Sequence, residues 1–269
     1  MLLLIDHVTV YRYDSPARGV VQSHRLTPSG CEGQQVLDWE VTVSGGIKGG
    51  GFRDGAGDWV QGWTVKGPVS EISVRVRGRV STTDMAGVLR GHREIVAPEC
   101  YLGETVATEL TGGLPMLATA AEGAETRLAA AHALSRAVSQ AIVYNPGSTH
   151  AHTTAAEALE QGEGVCQDHT HALCAIARAN NIPARYVSGY LLADAEGAPH
   201  EAAHAWAELF IAGLGWVGFD PANECCPDDR YVRLGSGLDA REAAPIRGSA
   251  RSTGAESLDV TVAVLATQQ

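Results

Sequence analysis

The chain has 269 residues, enough for one large domain or two ordinary ones. Hydrophobic residues make up 45% and charged residues 19%, a globular composition that fits neither a disordered nor a membrane-spanning chain. A net charge of −11, with scattered arginines and no basic stripe, argues against a nucleic-acid partner.

The N-terminal run Met1-Leu2-Leu3-Leu4-Ile5 has no positive flank and is cut short by Asp6, so it does not read as a signal peptide. The first hundred residues read as β structure. Val8 and Val10 alternate with Thr9 and Tyr11; Leu37, Trp39, Val41 and Val43 alternate with Asp38, Glu40 and Thr42; Ile72, Val74 and Val76 alternate with Ser73, Arg75 and Arg77. Glycine-rich stretches at 45–46, 49–51 and 54–57 supply turns, and half-polar strands of this kind suit an antiparallel sheet with one wet face. Gly49-Gly50-Gly51 lacks any phosphate-binding fingerprint around it and reads as a turn.

Thr111-Gly112-Gly113-Leu114-Pro115 reads as a connection. Residues 125–142 then carry a helical stripe of Leu128, Ala131, Leu134, Val138 and Ile142, closed by Asn145-Pro146-Gly147. Thr154-Ala155-Ala156-Glu157 matches a capping box and predicts a short helix that Gly162 stops. The run CQDHTHALCAIARANN follows, with Leu173, Ile176 and Ala177 on one helical face and Asn180, Asn181 and Pro183 as a stop. Cys166 therefore sits at a helix N-terminus, where unpaired N–H groups and the macrodipole favour a thiolate.

Two β-like runs come next, at 185–192 and 204–211, then a turn with Gly213 and Gly215 and a third run, Trp216–Asp220. The last two runs read as an antiparallel hairpin. Centred on Ala212, it sets His204 directly opposite Asp220, with Cβ atoms about 5 Å apart. A one-residue slip would turn Asp220 to the other face. A thiol, a base and a carboxylate that orients the base form a nucleophilic triad, so Cys166, His204 and Asp220 are the candidate catalytic residues.

GVCQDHTHALCAIARANNIPARYVSGYL, HAWAEL and GWVGFDPAN resemble the core of the transglutaminase-like superfamily, in particular the bacterial transglutaminase-like cysteine proteases that carry an N-terminal β domain. SHRLTPSG, Gln35-Val36-Leu37 and Arg53-Asp54-Gly55-Ala56-Gly57 extend the likeness more weakly into the N-terminal half. The resemblance implies an α+β fold, with an N-terminal antiparallel β domain followed by a papain-like, transglutaminase-like core. In that core a central nucleophile helix packs on an antiparallel sheet that carries the base and the acid. It also implies a peptide or protein substrate and a nucleophile at Cys166, a base at His204 and an orienting acid at Asp220. The expected divisions are residues 1–110, a linker at 111–125, the core at 126–225, and a C-terminal loop and strand at 226–269.

The remaining features have plainer readings. Cys174 reads as core, and His169 as a buried histidine beside the nucleophile. Asp168 suits the helix dipole, but its charge opposes a thiolate unless it is turned away or paired. Cys166, His169, His171, His150 and His152 make a zinc site only on paper, because no metal-ligand spacing is present; no cofactor or metal is expected. The Cys166 N–H is one natural oxyanion donor, and Tyr144 or Gln167 are candidates for the second. Six cysteines without framework spacing suggest free thiols in a reducing cytoplasm. Residues 235–254 read as loop, and Leu258, Val260, Val262 and Val264 as a final strand that could join either sheet. No membrane partner is expected, and the oligomeric state is left open.

Overall fold

The computed structural model describes residues 1–192 and 203–266. In chain order, β1 (Leu2–His24), β2 (Gln34–Val43), β3 (Gly46–Arg53) and β4 (Trp59–Thr82) come first. Short turns lead to α1 (Leu114–Ala118), α2 (Arg127–Ala141), β5 (Val143–Tyr144), α3 (Ala155–Gln161), β6 (Glu163–Gly164) and α4 (Cys166–Ala179). The chain continues through β7 (Ala184–Leu191), β8 (Ala203–Ile211), β9 (Gly215–Phe219), β10 (Tyr231–Gly237), β11 (Ile246–Ala250) and β12 (Glu256–Ala266). The α+β organisation expected from the sequence is present.

The N-terminal sheet is built on the antiparallel pair β1–β4, with β2 and β3 side by side on the far edge of β4. The other edge of β1 is taken by the chain's last two strands, β12 along residues 3–13 and β11 along residues 20–24. The final strand therefore belongs to the N-terminal sheet. The stretch read as loop at 235–254 contains the end of β10 and all of β11, whose short, Gly- and Ser-rich segments lack the alternation that marks a strand.

The buried face of β1 is the odd-numbered one: Leu3, Ile5, His7 and Thr9 point inward, and Val8 and Val10 lie on the half-buried side. Two polar residues can face the core because each is satisfied there. His7 Nδ1 lies 2.8 Å from the Tyr190 hydroxyl on β7, and His7 Nε2 lies 2.7 Å from Thr9 Oγ1. In β2 a bulge between Val36 and Asp38 puts Leu37 out of step with Trp39, and Leu37 is exposed. Tyr190, Val232 and Leu234 of the second sheet pack into the same core as Leu3, Ile5, Ile72 and Val76.

The second sheet is antiparallel with order β10-β7-β8-β9. Its other side carries the helices. α4 is enclosed nearly all round, and its alanines at 172, 175 and 177 let α1, α2, α3 and the strands approach closely. Leu134 and Val138 of α2 close the core over Leu173 and Ile176. The predicted capping box and stop of α3 are present, Thr154 and Glu157 bonding reciprocally and Gly162 ending the helix in a left-handed conformation; α2 is capped by Thr126, whose Oγ1 accepts the Ala129 N–H at 3.0 Å. Among the described residues no helix is long and apolar enough to cross a membrane.

Candidate active site

Cys166 is the first residue of α4, delivered there by a short parallel pairing of β5 with β6, Tyr144 beside Gly164. Gly164 leaves room for the helix cap. A Cβ at that position would lie 2.8 Å from the Asp168 Cβ, and Asp168 curls back across it. Asp168 Oδ2 accepts the Val165 N–H at 2.8 Å and the Thr149 hydroxyl at 2.6 Å, so the carboxylate is committed to the helix start. His169 is buried with Nδ1 2.9 Å from the Val165 carbonyl and Nε2 2.9 Å from the Ile142 carbonyl. That histidine ties α4 to the end of α2. Arg178, at the far end of the helix, donates to the carbonyls of Tyr101, Ala184 and Leu238 and to Thr108 Oγ1.

The Cys166 side chain packs against Tyr186, Ala205 and Ala243, which places it beside His204 at the start of β8. His204 Nε2 donates to Asp220 Oδ2 at 2.6 Å, and the same imidazole interacts with the Cys166 thiol. The structure thus brings Cys166, His204 and Asp220 together, but not through the expected register. The hairpin pairs Ala207 with Phe219 and Ile211 with Gly215, so its centre is Gly213 and the position opposite Asp220 belongs to Trp206. The cause is the turn. Leu214 N–H bonds the Ile211 carbonyl and Gly215 sits at φ +86, a three-residue loop that moves the partner of Ile211 two residues on, from Gly213 to Gly215. A shift of two preserves the face, and His204 reaches Asp220 diagonally.

Asp220 lies just beyond the last pair of the β8–β9 ladder and is wholly buried. Its Oδ1 accepts the backbone N–H groups of Ala222 and Asn223 at 3.0 and 3.2 Å. Its Oδ2 accepts from Asn223 Nδ2 at 2.7 Å and from the Tyr231 hydroxyl at 2.8 Å, in addition to His204. Burial opposes its charge, yet these donors, His204 foremost, hold the carboxyl below the usual range. Burial likewise works against a charged His204. The bond to Asp220, the contact with Cys166 and the charges of both outweigh it and raise the imidazole from 6.5 to about 10. Tyr231 and Asn223 were not picked out from the sequence. Asn223 lies two residues beyond the GFDP motif and could have been, whereas Tyr231 sits on β10, which among the described residues pairs with β7.

The Tyr231 ring also packs edge-on against Trp206, with centroids 5.4 Å apart, and Trp206 stacks near His204. A Cβ on Gly189 would lie 2.6 Å from the Trp206 ring, so that glycine gives the tryptophan its place. Further along β8, Glu208 anchors a buried ion network. It accepts from Arg185 Nε at 2.7 Å and Arg233 Nε at 2.9 Å; Arg233 also reaches Asp58 at 2.6 Å, and Arg185 reaches Glu94 at 2.5 Å while lying 4.0 Å over the Trp216 ring. Asp58 comes from the N-terminal sheet region and Glu94 from the connecting segment, so the network clamps both to the strand that carries His204.

Residues 115–221 match the transglutaminase-like superfamily, and residues 3–81 match the bacterial transglutaminase-like N-terminal region. Residues 115–221 are thus a transglutaminase-like core. It is 28% identical over 278 residues to an uncharacterised protein of Mycobacterium leprae, covering 97% of each chain. An uncharacterised protein of Mycobacterium tuberculosis is 37% identical over 134 residues, which span 46% of this chain and 43% of that protein. The crystal structure of a candidate cysteine protease from Cytophaga hutchinsonii superposes with a TM-score of 0.74 at 22% identity, covering 100% of this chain and 92% of that one. That likeness is one of fold.

The other residues singled out in the transglutaminase-like core have different surroundings. Cys174 is fully buried, and burial pushes its thiol up to about 11. Tyr144 is half exposed with its ring 6.4 Å from that of His169, and Gln167 is half buried in the first turn of α4. His171 Nε2 accepts the Ala240 N–H at 3.0 Å, and His150 and His152 lie on an exposed loop. Among the described residues no group of three or more histidine, cysteine or acidic side chains is placed to hold a metal ion.

Proposed function

We propose that this protein is a cysteine-dependent acyl-transfer enzyme acting on amide bonds. The observation that carries the reading is the 2.6 Å bond between His204 Nε2 and Asp220 Oδ2, with the imidazole interacting with Cys166 at the start of α4. In this reading His204 takes the thiol proton, and the resulting imidazolium is held by Asp220. The Cys166 Sγ attacks the substrate carbonyl, and the Cys166 backbone N–H at the first helical position is one donor to the oxyanion. His204 Nδ1 then protonates the leaving amine as the tetrahedral intermediate collapses to a thioester. Water activated by the neutral imidazole releases the acid.

Peptide hydrolysis is the favoured reaction. Glutamine deamidation and transamidation use the same acyl-enzyme and differ only in the amide attacked and in whether water or an amine accepts the acyl group. The test is mass spectrometry of peptide and glutamine-containing substrates after incubation, with and without an added primary amine. Cleaved peptides support hydrolysis, a gain of one mass unit at glutamine supports deamidation, and an amine adduct supports transamidation. No product from any substrate, with Cys166 no more reactive than the other cysteines, would favour a non-catalytic binding module on the same scaffold.

A further inference from the structure

The turn at residues 239–243 connects the Cys166 neighbourhood to a cavity. Ala240 and Cys166 both pack against the cluster of Tyr186, Ala205 and Ala243, and the Ala240 N–H is fixed to His171 of α4. Ala240 and His171 also line a cavity of about 570 Å³, bounded by residues 105–107, by the loop 151–154, by Asp239–Glu242 and by Arg247. That volume falls within the range of small-molecule sites.

The polar groups around this cavity divide into committed and uncommitted ones. Glu242 Oε2 accepts the Leu238 N–H and Asp239 Oδ1 accepts the Glu242 N–H, both at 2.9 Å, so one oxygen of each acid is turned into the backbone of their own turn. The hydroxyls of Thr105, Thr153 and Thr154 bond to neighbours within three residues. The side chains of Arg241 and Arg247 are exposed and have no partner among the described residues. His171, only 1% exposed, uses Nε2 as an acceptor, and its Nδ1 is buried without a partner. The uncommitted cations at the cavity are the two guanidinium groups, and their paired donors match a carboxylate.

We propose that this cavity is a substrate side-chain pocket, and that Arg241 and Arg247 select peptides carrying a carboxylate next to the amide presented to Cys166. The proposal rests on Cys166 being the nucleophile, but its test does not depend on turnover. Fluorescein-labelled pentapeptides with a central glutamine, flanked on either side by Glu or by Gln, are titrated by anisotropy against the full chain bearing Cys166→Ala. The Glu peptides should bind at least about five-fold more tightly than their Gln counterparts. The preference should fall below about two-fold when Arg241→Gln and Arg247→Gln are added, and Arg241→Lys with Arg247→Lys should keep part of it. Both arginines are exposed, so these variants should fold. Equal binding, no binding, or a preference that survives both Gln substitutions would overturn the proposal. Preferential binding without turnover by the unsubstituted chain would leave the pocket standing and count against the acyl-transfer reading alone.

Discussion

His204 and Asp220 meet across the end of a ladder rather than across a rung. Asp220 lies one residue past Phe219, the last paired residue of β9, and its carboxylate reaches His204 from the position opposite Trp206. Freed from the strand, Asp220 can be wrapped by the 220–225 turn. That turn supplies two backbone N–H groups and the Asn223 amide. The role of each partner can be tested separately.

Asp220→Asn should retain about 1% or more of wild-type kcat/KM, whereas Cys166→Ala and His204→Ala should fall to background, because only the latter two make bonds or carry protons. The sign of the pH effect follows from the raised imidazole. The imidazolium persists as pH rises until about 10, so the basic limb of the wild-type profile lies near there. Without the Asp220 charge that limb should move down toward 6.5. A mutant profile matching wild type would make Asp220 a structural residue.

Tyr231→Phe should act in the opposite direction. Removing the hydroxyl deletes one of three donors to Asp220 Oδ2 and leaves the carboxylate a stronger partner for His204. The basic limb should stay at or above its wild-type position, while turnover falls a few-fold, roughly the effect of one hydrogen bond worth about 1 kcal/mol. Parallel pH profiles of the two variants would show whether they diverge.

Iodoacetamide at pH 6 should label Cys166 before any other cysteine. Burial pushes up the thiols of Cys31, Cys225 and Cys226, and Cys174 is sealed in the core, which leaves exposed Cys100 as the main competitor. Peptide mapping after brief exposure gives the order. Labelling of Cys100 first would count against an activated Cys166.

Turnover should survive EDTA and require a reducing agent, since the proposed chemistry runs through a thiol. Loss of activity on chelation, restored by zinc or calcium, would refute a thiol-only route.

Glu208→Ala should destabilise the fold by about 3–5 kcal/mol in urea at pH 7, because it strands Arg185 and Arg233, both buried, without their shared counter-charge. Burial opposes the Glu208 charge, but Arg233 and Arg185 overcome it and lower the carboxyl to about 2. Its contribution is therefore present in full above pH 4.5 and is lost as pH falls toward 2. An unfolding free energy unchanged in the variant would show that the network contributes nothing net.

The readable parts of the sequence were those governed by local rules. The helix starts at Thr154 and Cys166 and the stops at Gly162 and Asn180 depend on neighbours within a few residues, and Cys166, His204 and Asp220 were legible as a set only through three separate motifs that resemble one family. The register of the hairpin was missed by two positions because Gly213 and Gly215 permit more than one loop length, and periodicity cannot choose between slips that keep the same face. Tyr231, Asp58 and Arg233 were invisible for another reason. Each gains its meaning from a partner 11 to 175 residues away, across a sheet pairing or between the two sheets. Arg233 in particular carries no mark of burial in its own segment.

The pairing of β1 with β11 and β12 has a consequence for biosynthesis. Strand β1 leaves the ribosome more than 220 residues ahead of most of the strands that edge it along residues 3–13 and 20–24, so it waits for them through the synthesis of everything in between. Until those strands arrive, one side of a 23-residue strand offers unpaired N–H and C=O groups to any passing extended chain. The transglutaminase-like core at residues 115–221 lies entirely within that interval and can fold while the N-terminal sheet waits. Completion of the sheet is then a late step of long sequence separation, expected to be slow. Nascent chains halted before residue 246 should be captured by chaperones that bind extended segments and released once β12 has been translated. Capture that is indifferent to the point of arrest would show that β1 is protected by other means.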